Sequence, residues 1–256
     1  MNFRSFFVCI LLFTRAYSNI EELESITHLP SRIVYSDKRT LVCFDIDNTL
    51  IRPSTHLGSE QWFGDLCNKL KLSGMSMSDI LDIILPAYYA VHSDIDTEPV
   101  ELETHLIVQS LAQHYPILAL TRRSACMLGI TLQQLTNNNL TLEAYSPVYI
   151  SYAFQGIDQG AYHNGIILCG NNTKGAMLKS FLERSHYMPE RIIFIDDRIE
   201  HILDVYRTCQ ELGIECCAFH YTYVEKNIAH TYNHDEVHEE YQALYGMPYD
   251  FINLYK

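Results

Sequence analysis

The sequence predicts an α/β fold: a parallel sheet with helices on both faces, carrying a small helical cap insertion. Three observations lead there. Short, nearly continuous apolar runs occur at residues 39–44, 116–120 and 191–195, which is how strands buried on both faces read. Between them lie stretches with apolar residues three and four apart, the mark of amphipathic helices. The two kinds of segment alternate, and regular alternation of strand and helix implies a parallel sheet.

In chain order, the first 18 residues stand apart. Arg4 supplies a positive n-region, residues 6–13 a short apolar run, and Ala16 and Ser18 the −3 and −1 positions of a cleavage site. This reads as a secretory signal peptide, too short to span a bilayer, with a buried N-terminal helix as the alternative. Ser18 and Glu21 resemble a capping box and predict a short helix through Ile20, Leu23 and Ile26, ending before Pro30. Residues 39–44 form the first strand, which stops at Asp45-Ile46-Asp47-Asn48-Thr49.

Three helices are predicted between Ser59 and Tyr115. Trp62, Phe63, Leu66 and Leu70 share one face. Ile80, Ile83, Ile84, Tyr88 and Val91 share a second, with Ser78 as cap, and Leu102, Leu106 and Leu111 mark a third entered near Pro99. Residues 116–120 are the next strand, followed by Thr121 and a helix over 124–135. Tyr, Ile and Phe alternate around Gly156, Gly160 and Gly165, predicting one or two hairpins between 147 and 168. A helix over 172–184, a strand over 191–195 ended by Asp196-Asp197, a helix over 199–212 and a strand over 214–224 follow. A polar, His-rich helix closes the chain. Residues 19–256 thus form one domain, with the cap insertion at about 56–108.

The chain of 256 residues carries a net charge of −13, and loss of residues 1–18 with Arg4 and Arg15 takes it to −15. So acidic a surface argues against nucleic acid or an anionic membrane as the main partner, because phosphate backbones need clustered Lys and Arg. No later stretch is long and apolar enough to span a bilayer, so no stable membrane insertion is expected after signal cleavage. Seven cysteines remain without Cys9. Cys43 reads as a small core residue, and Cys209, Cys216 and Cys217 are close enough in sequence for a disulfide after export.

In a parallel sheet, ligands bind at the carboxyl ends of the strands. Three polar clusters occupy such ends: Asp45 and Asp47, Thr121, and Asp196 and Asp197. Each Asp pair alone could simply cap the following helix. Together, four carboxylates at neighbouring strand ends repel strongly. A divalent cation relieves that repulsion, and a hard, oxygen-rich site suits Mg²⁺, which also recruits phosphate.

Phe44-Asp45-Ile46-Asp47-Asn48-Thr49-Leu50 resembles the first signature, DxDxT after an apolar strand, of the haloacid dehalogenase-like phosphohydrolases. Leu118-Ala119-Leu120-Thr121 is similar to the second, Lys174 in Asn171-Asn172-Thr173-Lys174-Gly175 to the third, and Phe194-Ile195-Asp196-Asp197 to the fourth. The matches run from about residue 40 to 200. The resemblance implies a Rossmann-like core and a small phosphorylated substrate. Asp45 would be the nucleophile that forms an aspartyl-phosphate, and Asp47 the general acid/base. Thr121 would bind a phosphoryl oxygen, and Lys174 would neutralise Asp45 and the developing charge. Mg²⁺ would be held by Asp45, Asp47 through its carbonyl, Asp196 and Asp197, with Asp196 or Asp197 as the direct ligand. An acid at position 47 resembles phosphatases and mutases and disfavours a dehalogenase. The chain further resembles secreted bacterial haloacid dehalogenase-like proteins with a short cap, implying a periplasmic or secreted place.

Other residues carry two readings. Lys179 is a second candidate for the third motif, though Lys174 lies at the helix start where phosphate is met. Arg122 and Arg123 would contact a second anionic group on the substrate or be solvated. Trp62, Arg52, His56 and Gln61 are near enough in sequence to face the pocket, and Trp62 also fits a cap-core stripe. His201 reads as structural. His230, His234 and His238 are four apart, either a solvated face or a transition-metal set. Two other functions stay open: a secreted binding or effector protein on this scaffold with little catalysis, and a phosphotransferase.

Overall fold

A computed structural model describes residues 20–34, 36–154 and 160–247 of the chain. The expected signal peptide lies outside the described residues. The predicted α/β architecture is observed. Its centre is a mostly parallel sheet built from β1 (Ile20–Leu23), β2 (Thr40–Phe44), β5 (Ile117–Thr121), β6 (Ser151–Ala153), β7 (Ala161–His163), β8 (Ile166–Leu168), β9 (Arg191–Asp196) and β10 (Glu215–Tyr221), while β3 (Ile51–Pro53) and β4 (Thr97–Pro99) form a separate antiparallel ribbon. The order across the sheet is β1-β10-β9-β2-β5-β8-β7-β6, antiparallel only at β7 and β6.

The apolar runs explain the layering. Val42, Phe44, Ile193 and Ile195 point to one face, and Leu41, Cys43, Ile192 and Phe194 to the other, as a period of two requires. α1 (Leu29–Arg32), α4 (Thr104–Ala112) and α5 (Leu128–Asn137) cover the first face; α6 (Lys174–Ser185) and α7 (Ile199–Leu212) cover the second. From β2 the chain steps to β5 on one side and later to β9 on the other. The carboxyl end of β2 is therefore the topological switch point, where open α/β sheets bind ligands.

The insertion leaves through β3 and returns through β4, and α2 (Glu60–Leu72) and α3 (Met77–Asp94) lie between. Ser59 caps α2 through the Trp62 amide, and Ser76 rather than Ser78 caps α3 through the Asp79 amide. Trp62, Leu66, Ile80, Ile84 and Val91 make a core of their own. The predicted third insertion helix, α4, instead buries Val108 and Leu111 against the main sheet. After α8 (Tyr223–Asn227), the His-rich α9 (His234–Tyr245) adds Val237 and Tyr241 to the cap core. The Glu240 carboxylate accepts the His56 and Leu57 amides at 3.0 and 2.7 Å. The cap is thus a three-helix unit completed from the far end of the sequence.

Two predicted elements are corrected, the last strand ending at Tyr221 so that Tyr223 and Val224 open α8. Ile20–Leu23 is an edge strand, not a helix, pairing in parallel with β10 from Ile20↔Ala218 to Leu23↔Tyr221. The open edge of β10 supplies backbone partners that a local reading cannot see. The described cysteines are free thiols, including Cys209, Cys216 and Cys217.

Candidate active site

β2 ends by donating the Asp45 amide to the Ile195 carbonyl at 2.9 Å, which ties the ends of β2 and β9 together. The chain then turns sharply. The Ile46 carbonyl accepts the Leu50 and Ile51 amides, and Asn48 takes a left-handed φ of 58° that Asn tolerates better than most residues. This turn holds Asp45 and Asp47 at the switch point. Thr173 caps α6 by accepting the Ala176 amide, setting Lys174 as the first helical residue.

Lys174 is fully buried, and its Nζ lies 2.6 Å from Asp45 Oδ1 and 2.6 Å from Asp196 Oδ2. Burial disfavours its charge, but Asp196 and Asp45 outweigh burial and hold it protonated. Lys179, further along α6, is half-buried and makes no such bridge among the described residues. Burial pushes Asp45 up to about 7, against Lys174 and with the help of Asp196 and Asp47. Asp197 is driven well above the carboxylate range by burial and by repulsion from Asp45, Asp196 and Glu60.

Asp196 has both oxygens engaged. Oδ2 meets Lys174, while Oδ1 accepts the Arg198 amide at 2.9 Å and lies 3.2 Å from His201 Nδ1. Thr121 is fully buried, and its Oγ1 accepts the Arg123 amide at 3.2 Å. Arg123 Nε and Nη2 donate to Asp47 at 2.9 and 2.7 Å, while its Nη1 donates to Thr131 and Gln134. Burial opposes ionisation of Asp47, yet the Arg123 guanidinium keeps it below the ordinary carboxylate range.

A cavity of about 220 Å³ lies against this cluster, with Lys174 and Asp196 behind its wall. Its floor holds Asp45, Asp47, Thr121, Asp197 and His201, with Arg122 and Arg198 at the side and Phe63, Leu85, Tyr88 and Tyr89 of the cap above. Asp45, Asp47, Thr121, Lys174, Asp196 and Asp197 are thus brought together from four strand and helix ends. Arg122 lines the cavity but is exposed, with Nε bonded to the Gly170 carbonyl.

The expectation that Trp62 contacts substrate is corrected: its indole is buried in the cap core, and its neighbour Phe63 reaches the cavity instead. The His234 and His238 rings lie 4.8 Å apart, tilted by 53°, and His234 Nε2 meets Lys69 Nζ at 2.5 Å, so these two histidines serve packing and polar contacts. Sequence reasoning missed the Arg123–Asp47 pair and the His201 contact. A cation two residues after the strand-terminal Thr was the only available sign.

A family described as "Protein of unknown function (DUF2608)" matches residues 22–247. The chain belongs to this family. Across 223 residues it is 24% identical to a "Putative outer membrane protein" of Chlamydia trachomatis, covering 84% of each chain. A protein of the same description from Chlamydia muridarum is 23% identical over 235 residues, covering 91% of this DUF2608 chain and 88% of that protein. Among solved structures, the chain is similar to a haloacid dehalogenase-like hydrolase from Streptococcus pneumoniae at 16% identity and a TM-score of 0.45, covering 69% of this chain and 82% of that one. An enzyme of Bacteroides thetaiotaomicron, solved in complex with magnesium and inorganic phosphate, is similar at 13% identity and a TM-score of 0.43, covering 76% of this chain and 99% of that one.

Proposed function

We propose that this protein is a haloacid dehalogenase-like phosphohydrolase that cleaves small phosphomonoesters, with Asp45 as nucleophile, Asp47 as general acid/base and Mg²⁺ as cofactor. The observation that carries this is Lys174, a fully buried lysine joining carboxylates at the ends of two adjacent parallel strands, beside a cavity that Asp47 and Asp197 also line. A structural ion pair alone would not need two further acids at the same cavity wall.

The donor set fits a hard divalent cation. Asp45 and Asp197 are each raised by burial and by neighbouring carboxylates, Asp196 and Asp47 for the first and Asp45, Asp196 and Glu60 for the second, the condition that such an ion relieves. Asp45, Asp197 and the Asp47 carbonyl would hold it. Asp196, with both oxygens engaged, anchors Lys174. Asp45, Asp196 and His201 also bring ligand atoms within 4.8 Å of one another, but His201 Nδ1 is already directed at Asp196. When bound, the cation keeps Asp45 ionised and offsets charge on the phosphoryl oxygens.

The chain's own residues account for the remaining chemistry. Thr121 donates its hydroxyl to a phosphoryl oxygen, and Lys174 balances the charge that builds beside Asp45. Asp45 attacks phosphorus, and the bond to the leaving oxygen breaks. Asp47 rests as an ion on Arg123; a dianionic phosphate arriving beside it raises its proton affinity, so that it takes a proton from solvent and passes it to the leaving oxygen as that bond breaks. As a carboxylate again, Asp47 takes a proton from the water that opens the aspartyl-phosphate.

Export to the periplasm or beyond is part of the proposal. It rests on the N-terminal pattern and on the names of the chlamydial relatives. Among the described residues no helix is long and apolar enough to cross a membrane.

The test is phosphate release from a panel of phosphomonoesters with Mg²⁺ and with EDTA, beside Asp45→Asn. Release that needs Mg²⁺ and vanishes in the variant is expected; an added alcohol that captures the phosphoryl group would reveal transferase activity. If Asp45→Asn kept full turnover, the mechanism would be wrong. A wild-type protein that binds Mg²⁺ and releases nothing would be a binding protein on this scaffold.

A further inference from the structure

We infer that the ester this site takes has an aromatic or branched apolar leaving group, not a sugar or polyol; the inference rests on the phosphatase reading above. The floor of the cavity is committed to the phosphoryl group, so the leaving group meets the opposite wall. That wall is Phe63 of α2, Leu85, Tyr88 and Tyr89 of α3, and Met127 after β5. Tyr88 is held in place, with ring centroids 5.2 Å from Phe63 and 4.1 Å from His92. Aromatic rings fixed in this way offer large flat contact with little ordering cost.

The polar groups on the same side are occupied with one another. Asn48 Nδ2 donates to Glu60 at 3.0 Å, Glu60 meets Arg198 at 3.4 Å, and Arg198 meets Glu200 at 2.6 Å. A sugar would bring four or more hydroxyls to a wall with few free partners, and each unpartnered hydroxyl loses its bonds to water. An aromatic or branched hydrocarbon group loses nothing there and gains contact area.

The experiment compares phenethyl phosphate with glucose 6-phosphate. Both are esters of primary alcohols, so leaving-group chemistry favours neither. Wild type should show a kcat/KM ratio of about 10 or more in favour of the aromatic ester. Phe63→Ala should reduce that ratio several-fold through KM for phenethyl phosphate, while Phe63→Leu, which keeps an apolar side chain, should retain most of it. Equal or preferred hydrolysis of glucose 6-phosphate would overturn the inference and leave the phosphatase reading standing. So would an unchanged ratio in a Phe63→Ala protein of wild-type melting temperature. Hydrolysis of neither ester while other phosphomonoesters are cleaved would also overturn the inference, whereas no release from any phosphomonoester would refute the underlying reading and the inference with it.

Discussion

Acidification from pH 7 to pH 5 should remove about 2 kcal/mol of folding stability through His92 alone. His92 lies fully buried on the cap helix α3. Its Nε2 is 3.0 Å from the Gly58 carbonyl, so that nitrogen carries the proton. Nδ1 has no hydrogen-bond partner among the described residues. A second proton would sit there with no acceptor, close enough to feel the Arg123 guanidinium. Burial first and Arg123 second therefore push His92 from 6.5 down to about 4.

The folded value is the lower one, so the unfolded chain takes up the proton first as pH falls. The contribution is complete above pH 6.5 and is lost progressively as pH drops toward 4; in full it is about 3 kcal/mol. Urea unfolding at pH 7 and pH 5 would measure it, with His92→Gln as a comparison that keeps a donor and cannot titrate. The variant should lose about 2 kcal/mol less than wild type between the two pH values. Equal losses would refute the reasoning, as would an NMR titration showing His92 of the folded protein protonating near 6.5.

Three further outcomes are expected. Gly175→Ala places a methyl 2.2 Å from Thr208 Oγ1 and 2.9 Å from the Asp204 carbonyl; calorimetry should show a loss of about 1–3 kcal/mol, with reduced turnover because Lys174 is next to it. Trp62→Ala should destabilise by about 3–5 kcal/mol in chemical unfolding, whereas Trp62→Phe should leave KM near wild type, since the indole does not line the cavity. Glu240→Ala removes the acceptor of the His56 and Leu57 amides and should cost about 2 kcal/mol in a thermal melt.

Much of the floor was legible because its chemistry is written locally. Asp45, Asp47, Asp196 and Asp197 directly follow apolar runs, so placing the strands placed the acids. Lys174 opens a helix whose capping Thr173 is the residue before it. The partner of Asp47 was hidden because Arg122 and Arg123 are indistinguishable in sequence; the turn after β5 exposes one and buries the other. β3 and β4 are three residues each and contain Pro53 and Pro99, too short for a period of two to register. Ile20 and Leu23 fall at a helical spacing, but the free edge of β10 decides their conformation. In α9 only Val237 and Tyr241 report a buried face, and the histidines and acids around them conceal it.

The docking of α9 on the insertion has a consequence for the order of assembly. The floor is complete once the chain has reached Tyr221, since β2, β5, β9 and α6 all precede that point. Its roof, carried by α2 and α3, is made early, but the cap core behind it is completed only by Val237 and Tyr241, which must close a loop of about 175 residues back to Trp62. On a growing chain, the carboxylate cluster would exist first beneath a cap still short of its third helix, and the roof would be fixed over it only when the last described helix comes home.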